Sequence, residues 1–410
     1  MQTLGLPLHH VFPQTPTPPF RPLLVTPKVL LSNPKPHPLH KISAASGFSQ
    51  EPKSNSSANA NRRDHDIPQI LVKRLARNLS DRHLVQAGER ILVAVSGGQD
   101  SICLLWMLSQ LQQSWEWKVG VVHCDHQWNP QSSAAQASHV AHVAREMGYD
   151  FYQSLPTMDA FGETRARTWR YGVLHRIALR HAYDVVITAH TASDRIETLL
   201  HNLFRGTGLQ GMQSLTWTRE FRVRVPYHKP YKHVRLVRPL LDTTRTELRK
   251  LCETLQLPLW PDPSNFNLEI NRNRIRHELL PYLRENFSSG IDRNLARWVE
   301  ILHGEESFLH SLCENIRSKA ETSMDHGVMK LDVSIVESLP LALQRRVLKQ
   351  FIESHTGKSA CFDTIEKLRL AYGHTSNGNK RVRVSLRGGF EVHLQEKMIL
   401  LLRKDVPNAQ

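Results

Sequence analysis

Short apolar runs alternate with longer segments of helical spacing between residues 90 and 204. Four runs are predicted to be strands: Ile91–Val95, Lys118–His123, Asp150–Leu155 and Asp184–His190. The segments after them are predicted to be helices: Ile102–Leu111, Ser132–Met147, Glu163–His181 and Ser193–Phe204. Strands that alternate with helices are typical of βαβ units. The expected fold class is therefore α/β, with a parallel sheet that has helices on both faces.

The pattern changes in the second half of the chain. Phe221–Leu241 is basic and alternating, which predicts an extended hairpin at a domain edge, and a helix is predicted over Arg245–Leu257. Two amphipathic helices are predicted at Ala296–Ser323 and Leu341–His355, and Arg381–Leu402 alternates as a second hairpin would. These changes predict an α/β domain, a basic extension that completes it, and a smaller, mostly helical domain, at residues 61–218, 219–290 and 291–410.

The first sixty residues differ from the rest in composition. They hold eleven of the 23 prolines, and Glu51 is their only acidic residue. Such a segment cannot bury a packed core. Few acids with basic, serine and proline residues predict an organelle transit peptide, of the chloroplast stroma before the mitochondrion. An ordinary disordered tail is the alternative.

The net charge of +15 favours a polyanionic partner, with nucleic acid as the first candidate and an anionic membrane as the second. The five cysteines form no CxxC pair, so neither a ribbon-type zinc site nor a disulfide framework is expected. No apolar run reaches the length that spans a bilayer, which predicts no membrane insertion.

The stretch Ser96–Ser101 (SGGQDS) joins the first predicted strand to the first helix. Gly97 and Gly98 lack side chains, so consecutive backbone N–H groups can turn toward an anion, and the helix adds its positive end. The two serine hydroxyls can bind phosphate, whereas Asp100 suits Mg²⁺ carried on a phosphate. A Walker loop is excluded because GxxxxGK[ST] is absent. The alternative is a Gly-Gly turn without chemical use.

Two further polar clusters follow predicted strands, at His123–Asp125 and His190–Glu197. Because ligands of parallel sheets bind beyond the carboxyl ends of strands, we expect these clusters and the Ser96–Ser101 stretch to meet at one rim. Asp194 and Glu197 would share a helix face, where they could bind a metal or hold an ammonium group. A capped helix with acids that favour its dipole explains the same spacing. A metal cluster is an alternative for the histidine segment.

SGGQDS resembles the SGGxDS signature of the N-type ATP pyrophosphatases, which adenylate a substrate and release pyrophosphate. AHTASDRIET, at residues 189–198, resembles the AHHxDDxxET motif of the tRNA(Ile)-lysidine synthetases in that superfamily. Thr191 replaces the second histidine of the motif and Ser193 replaces its first acid. The matching positions are His190, Asp194, Glu197 and Thr198.

Other stretches resemble the same family: Ala166–Tyr171 (ARTWRY), His123–His126 (HCDH), Leu203–Gly211 (LFRGTGLQG), Arg238–Leu241 (RPLL) and Asp262–Leu283. Matching residues in the last stretch include Asp262, Ser264, Asn265, Arg272, Asn273 and Arg276. From charge pattern alone, the arginines would be solvated basic faces.

The resemblance implies a sheet of the adenine nucleotide alpha hydrolase (PP-loop) type. The residues it implies for ATP binding are Ser96, Gly97, Gly98, Gln99, Asp100, Ser101 and His123, with Asp100 also as the Mg²⁺ ligand. The residues it implies for catalysis are Asp100, Asp194, Glu197 and Arg167. The arginines expected to contact RNA are Arg205, Arg238, Arg272, Arg274 and Arg276.

The implied reaction is modification of the wobble cytidine of tRNA(Ile) with a CAU anticodon. ATP would adenylate the cytosine carbonyl oxygen at ring position 2, and the side-chain amine of free L-lysine would then displace AMP. A tRNA thiolase of the same superfamily is one alternative, which the missing CxxC pair disfavours. A non-catalytic RNA-binding protein is another. The oligomeric state stays open, with a homodimer as one option.

Overall fold

The computed structural model describes residues 66–125, 130–156, 163–221, 233–260, 268–323, 328–373, 382–386, 389–395 and 398–403. Several predictions fall outside the described residues: the transit peptide over 1–60, most of the basic segment (222–232), His126, and the motif residues Asp262, Ser264 and Asn265.

A six-stranded sheet organises the N-terminal part. Its strands are β1 (Arg90–Ala94), β2 (Lys118–Cys124), β3 (Asp150–Ser154), β4 (Val185–Thr188), β5 (Thr218–Glu220) and β6 (Arg235–Val237). Their order is β3-β2-β1-β4-β6-β5, and all neighbours are parallel except β5 and β6. The predicted parallel sheet is confirmed, and the four predicted strands correspond to β1 through β4.

Helices cover both faces of this sheet, as the α/β class requires. The helices in this part of the chain are α1 (Ile67–Asp81), α2 (Gln99–Trp115), α3 (Pro130–Glu146), α4 (Glu163–Arg180), α5 (Ala192–Phe204), α6 (Leu209–Met212) and α7 (Arg245–Leu255). Side chains alternate between the two faces along β1. Ile91 and Val93 belong to the apolar cluster that includes α1, α2 and α7, whereas Leu92 packs in the opposite cluster with Leu174 of α4.

β5 and β6 pair antiparallel at the edge of the central sheet, as an edge hairpin would, and residues 222–232 between them lie outside the described residues. The described end of the segment Phe221–Leu241 forms β6, which pairs with β4 in parallel and therefore belongs to the central sheet. Burial explains why β6 belongs to the central sheet, because Val234, Leu236 and Val237 are 2%, 1% and 0% exposed.

The C-terminal part is mostly helical, as predicted. α8 (Asn271–Arg274), a π-helical segment (Ile275–Leu279) and α9 (Leu280–Asn286) lead to α10 (Ile291–Ala320), α11 (Val333–Glu337), α12 (Leu341–Thr356) and α13 (Phe362–Gly373). The two predicted amphipathic helices correspond to α10 and α12. Among the described helices, none combines the length and the apolar character needed to cross a membrane.

A second, antiparallel sheet accompanies these helices. Its strands are β7 (Glu321–Ser323), β8 (Met329–Asp332), β9 (Val382–Leu386), β10 (Phe390–Gln395) and β11 (Met398–Arg403), in the order β7-β8-β11-β10-β9. The segment Arg381–Leu402, predicted as a hairpin, forms three strands, β9, β10 and β11. Val392 and Ile399 pack with Phe351 of α12 in a separate apolar core. The boundaries of the predicted domains stay a prediction.

A glycine in β2 gives a test of this packing. A β-carbon on Gly120 would overlap the hydroxyl of Tyr183, which is 1% exposed. We expect Gly120→Ala to lower the free energy of unfolding by about 2 kcal/mol, because overpacking forces the strand or the ring to shift. Urea denaturation measures the change.

Gly304→Ala is the matched control, since Gly304 lies in α10 with open space around it. Alanine there should raise the free energy of unfolding by up to about 1 kcal/mol through helix propensity. Equal denaturation midpoints for Gly120→Ala and the parent protein would contradict the packing described for β2.

Candidate active site

The Ser96–Ser101 stretch forms the tight turn that the sequence predicts. Gly97 has a φ of +87°, and a β-carbon there would lie 3.2 Å from Val140 Cγ2. The backbone conformation therefore favours glycine, and a β-carbon would also need the Val140 side chain to shift. The Ser96 N–H donates to Ser101 Oγ at 3.1 Å, and that hydroxyl donates to the Gly98 carbonyl at 2.9 Å. The turn opens α2, so backbone amides and a helix N-terminus face the same point.

The ends of β1, β2 and β4 bring the predicted clusters together. These strands are neighbours in the sheet, and each cluster follows the carboxyl end of its strand. His123 donates from Nδ1 to the Val95 carbonyl at 2.8 Å, which fixes the ring beside the loop. Burial lowers the pKa of His123, so its Nε2 is an acceptor at neutral pH. Among the described residues this Nε2 has no hydrogen-bond partner.

Arg245 is the centre of the site, and the sequence analysis did not identify it. Its Nε donates to Asp100 Oδ2 at 2.9 Å, its Nη2 to Asp194 Oδ1 at 2.8 Å and its Nη1 to Glu197 Oε1 at 2.7 Å. One guanidinium therefore joins the acid beside the phosphate loop to the two acids of α5. We call these four residues the Arg245 cluster.

A local signal for Arg245 does exist. It is the first residue of α7, where Thr244 and Glu247 form a capping box. A cation at a helix N-terminus opposes the helix dipole, so its presence there indicates nearby acids. The acids themselves are more than 45 residues away along the chain, which is why spacing could not reveal them.

The pKa values in the Arg245 cluster follow from burial and charge. Burial raises the pKa of Asp100, and Arg245 only partly opposes this. Burial alone would also raise the pKa of Asp194, but the charges of Arg245 and Arg272 outweigh it and hold that pKa below its usual range. The carboxylates raise the pKa of Arg245 in return, despite its burial.

Asp194 is both a helix cap and a member of the cluster. Its Oδ2 accepts from the backbone N–H of Thr191 at 2.9 Å and from the Thr191 hydroxyl at 2.8 Å, while Oδ1 faces Arg245. The capping and the functional interpretations are therefore compatible. Thr191 and Ser193, which depart from the family motif, both have contacts here. The Thr191 hydroxyl binds Asp194, and Ser193 Oγ accepts from the backbone N–H of Arg245 at 3.3 Å.

Two arginines predicted to contact RNA pair with these acids, and the RNA contact stays a prediction. Arg276 donates to Glu197 through Nε at 2.8 Å and Nη2 at 2.9 Å, and Arg272 Nε lies 3.4 Å from Glu197 Oε2. Arg274 points elsewhere and pairs with Glu278 at 3.1 Å on the exposed surface. The charge pattern of residues 272–276 did not reveal that Arg272 and Arg276 face the acids whereas Arg274 lies on the exposed surface.

A second group of arginines surrounds Tyr171. Arg238, predicted as an RNA contact, is 2% exposed and donates to the Thr216 carbonyl at 2.8 Å. Arg167 and Arg170 each place their guanidinium carbon 5.7 Å from the Tyr171 ring centre. Burial alone would raise the pKa of Tyr171, but these three positive charges lower it to about 8. We call this group the Tyr171 pocket.

The cysteines add one contact that spacing did not predict. Cys103 and Cys252 bring their Sγ atoms to 3.1 Å, at 0% and 6% exposure, in the apolar core between α2 and α7. Both cysteines belong to the apolar cluster that contains Ile91 and Val93 of β1. In the described part of the chain, no group of three His, Cys, Asp or Glu side chains is arranged to hold a metal.

The fold and the loop define a nucleotide-binding protein of the PP-loop class, and the PP-loop domain family matches residues 69–283. The chain is 40% identical over 360 residues to the chloroplastic tRNA(Ile)-lysidine synthase of Zygnema circumcarinatum, covering 80% of this chain and 85% of that protein. It is 40% identical over 303 residues to tRNA(Ile)-lysidine synthase of Nostoc sp., covering 71% and 86%. The chain belongs to the tRNA(Ile)-lysidine synthase family.

Among solved structures, the U34-tRNA thiolase NcsA of Methanococcus maripaludis aligns with a TM-score of 0.48 at 14% identity, over 58% of this chain and 80% of that one. The family assignment rests on the sequence relatives.

Removing Arg245 tests the cluster. We expect Arg245→Met to lower the free energy of unfolding at pH 7 by about 3 kcal/mol, because it leaves buried carboxylates without their shared cation. The loss should shrink as the pH falls and the carboxylates take up protons. Arg249→Met, at an exposed position of the same helix, should change stability by less than about 0.5 kcal/mol. Equal losses for the two variants in urea denaturation would contradict the cluster.

The Tyr171 pocket makes a spectroscopic prediction. Ultraviolet titration of tyrosinate should show one ionisation near pH 8 that is absent in Tyr171→Phe. Arg238→Gln should move this ionisation upward, toward the ordinary value of about 10. Because the folded pKa is depressed, the parent protein should gain stability relative to Tyr171→Phe between pH 8 and about pH 10. An unchanged titration curve in Tyr171→Phe would contradict the pocket.

Proposed function

We propose that this chain is a tRNA(Ile)-lysidine synthetase, a ligase that forms a carbon–nitrogen bond between lysine and a tRNA base. ATP adenylates the carbonyl oxygen at ring position 2 of the wobble cytidine in tRNA(Ile) with a CAU anticodon, and pyrophosphate leaves. The side-chain amine of lysine then attacks that carbon and expels AMP. The observation that carries this proposal is the Arg245 cluster, which joins the phosphate loop to two acids suited to an amine.

The loop side of the cluster suits the first step. A cytosine carbonyl oxygen is a poor leaving group, and adenylation makes it a good one. The backbone amides at the start of α2 stabilise the charge that develops on pyrophosphate. A single carboxylate beside a phosphate loop suits Mg²⁺ that arrives with ATP, so Asp100 is the proposed ligand. The ion, when bound, supplies charge stabilisation for the leaving pyrophosphate.

The α5 side of the cluster suits the second step. The amine must lose a proton as its nitrogen bonds to carbon, and a nearby ionised carboxylate orients that N–H while the departing AMP phosphate can accept the proton. Asp194 is the proposed contact, because its side chain is 10% exposed whereas that of Glu197 is 0% exposed. Glu197 is also bound by Arg245 and Arg276, so it holds the arginines in place. Glu197 is therefore proposed as a positioning residue.

The Tyr171 pocket supplies a phosphate site. Arg167 and Arg170 lie on α4, and Arg238 follows β6, so three positive charges converge near the ends of β4 and β6. Guanidinium groups bind phosphate through paired N–H donors. We assign this pocket to a nucleotide phosphate in the adenylated intermediate, with Arg167 as the residue closest to catalysis.

The proposed partners and cellular location of the protein are inferred from its net charge and from its relatives. The net charge of +15 suits tRNA, and free L-lysine is the second substrate. Plastid location is supported by the chloroplastic names of relatives and by the composition of the leader, with the stroma as the compartment and the mitochondrion as the alternative. A homodimer is one oligomeric state to test.

The two alternatives fit the site less well. Sulfur transfer in this superfamily usually needs a pair of cysteines at the site, whereas Cys103 and Cys252 are buried in the apolar core and Cys124 at the end of β2 is a single cysteine of the rim. A non-catalytic RNA-binding protein would not need three acids gathered on one arginine. Burying such charges costs free energy unless they are paired.

The direct test incubates the protein with ATP, labelled lysine and an unmodified tRNA(Ile) transcript carrying CAU. We expect label on the tRNA, with one AMP and one pyrophosphate released for each lysine. Asp100→Asn should reduce the rate by at least about 100-fold, because it removes a charge from the transition-state environment. Filter binding should show that this variant still binds tRNA.

The matched RNA control carries G in place of the wobble C, which removes the carbonyl at ring position 2. It should accept no lysine. Pyrophosphate release without lysine on the tRNA, or full activity of Asp100→Asn, would contradict the proposal.

A further inference from the structure

A surface cavity of about 680 Å³ lies near the C-terminal end of α5, beyond the Arg245 cluster. One wall comes from α5 and the segment just after it, and the other from α8, the π-helical segment and α9. Its lining includes His201, Phe204, Arg205, Arg274, Glu278 and Tyr282. We call it the α5 cavity. Its volume is in the range of ligand sites.

The aromatic residues of the α5 cavity are unusually exposed. Phe204 is 65% exposed and Tyr282 is 56% exposed. Phe287 is 71% exposed and lies beside Tyr282, with ring centres 6.0 Å apart. Clustered aromatic surface of this kind marks a binding site rather than a packed core. Rings that face solvent are platforms on which unpaired bases stack.

The charged residues favour RNA over an apolar protein partner. No acidic side chain among the described residues pairs with Arg205. Arg274 and Glu278 form an exposed pair, at 59% and 49% side-chain exposure, which a ligand can replace at little cost. The two arginines can bind phosphate, and the Glu278 carboxylate can accept from a base amine.

The geometry relates the α5 cavity to the active site. In the α8 to α9 region, Arg272 and Arg276 face Glu197, whereas Arg274 and Glu278 line the cavity. Along α5, seven residues separate Glu197 from Phe204, which is a rise of about 10 Å at 1.5 Å per residue. That distance is about three stacked nucleotides at 3.4 Å each. Because the wobble base must leave the stack to enter the active site, the strand is unstacked at that point, and the base that follows it can span this distance to the cavity.

We propose that the α5 cavity binds the adenine that follows the wobble cytosine in CAU, stacked on Phe204 and Tyr282. This inference rests on the proposed function, because it requires the anticodon loop at the active site. The cavity then reads a base next to the modified one, and Arg205 holds the adjoining phosphate.

The test replaces that adenine with 2-aminopurine in the tRNA(Ile) transcript and measures fluorescence and lysine transfer with the full chain. Stacking should quench the probe when the parent protein binds. Phe204→Ala should abolish the quenching and raise the KM for tRNA roughly ten-fold, with the KM values for ATP and lysine unchanged. Phe204→Trp should restore both readouts. Phe308→Ala is the matched control, since Phe308 is 67% exposed on α10.

Each outcome bears on the inference. Equal quenching and equal KM for Phe204→Ala and Phe308→Ala would overturn it, while lysine transfer by the parent protein would leave the proposed function intact. A change in molecular mass by light scattering in Phe204→Ala, with tRNA binding unaltered, would identify the cavity as a protein contact and also overturn it. No lysine transfer by the parent protein to the unsubstituted transcript would contradict the proposed function itself.

Discussion

The interaction on which the site depends is the contact of one guanidinium with three carboxylates. Asp100, Asp194 and Glu197 are gathered where like charges would otherwise repel, and Arg245 neutralises part of that repulsion with a separate N–H for each. A lysine in its place would carry the charge without the planar fork. Because Arg245 begins α7, its position depends on β6 entering the central sheet. The active site therefore depends on a strand that contributes no residue to the Arg245 cluster.

Helix α5, which carries Asp194 and Glu197, is also held in place through Arg195 on another face. Arg195 of α5 is 2% exposed and donates to Glu300 of α10 at 2.8 Å, and the indole of Trp217 donates to the same carboxylate at 3.1 Å. Arg276 holds the opposite face through Glu197. α5 is thus clamped between the α8 to α9 region and α10, and its carboxylates are positioned by rigid elements.

Local patterns predicted what is local in this molecule. The Ser96–Ser101 turn and the strand ends were predicted from the sequence, because neighbouring residues determine a turn, a helix start and a strand. Arg245 was missed because its partners are distant along the chain and meet it only after the sheet forms. The contacts of Arg272 and Arg276 with Glu197 were not predicted, because charge pattern does not reveal which anion a cation meets. The strands β7 and β8 are too short for a period-two pattern to show.

The central claim is that the Arg245 cluster supports two successive steps, adenylation beside Asp100 and amine attack beside Asp194. The most direct measurement follows the α-phosphate of labelled ATP onto tRNA in Asp194→Asn, in the presence of lysine. The account predicts that the label accumulates on tRNA, because adenylation proceeds while attack is slowed, and that the parent protein releases it as AMP. If Asp194→Asn places no label on tRNA while the loop residues are intact, the result contradicts the assignment of adenylation to Asp100 and of amine attack to Asp194.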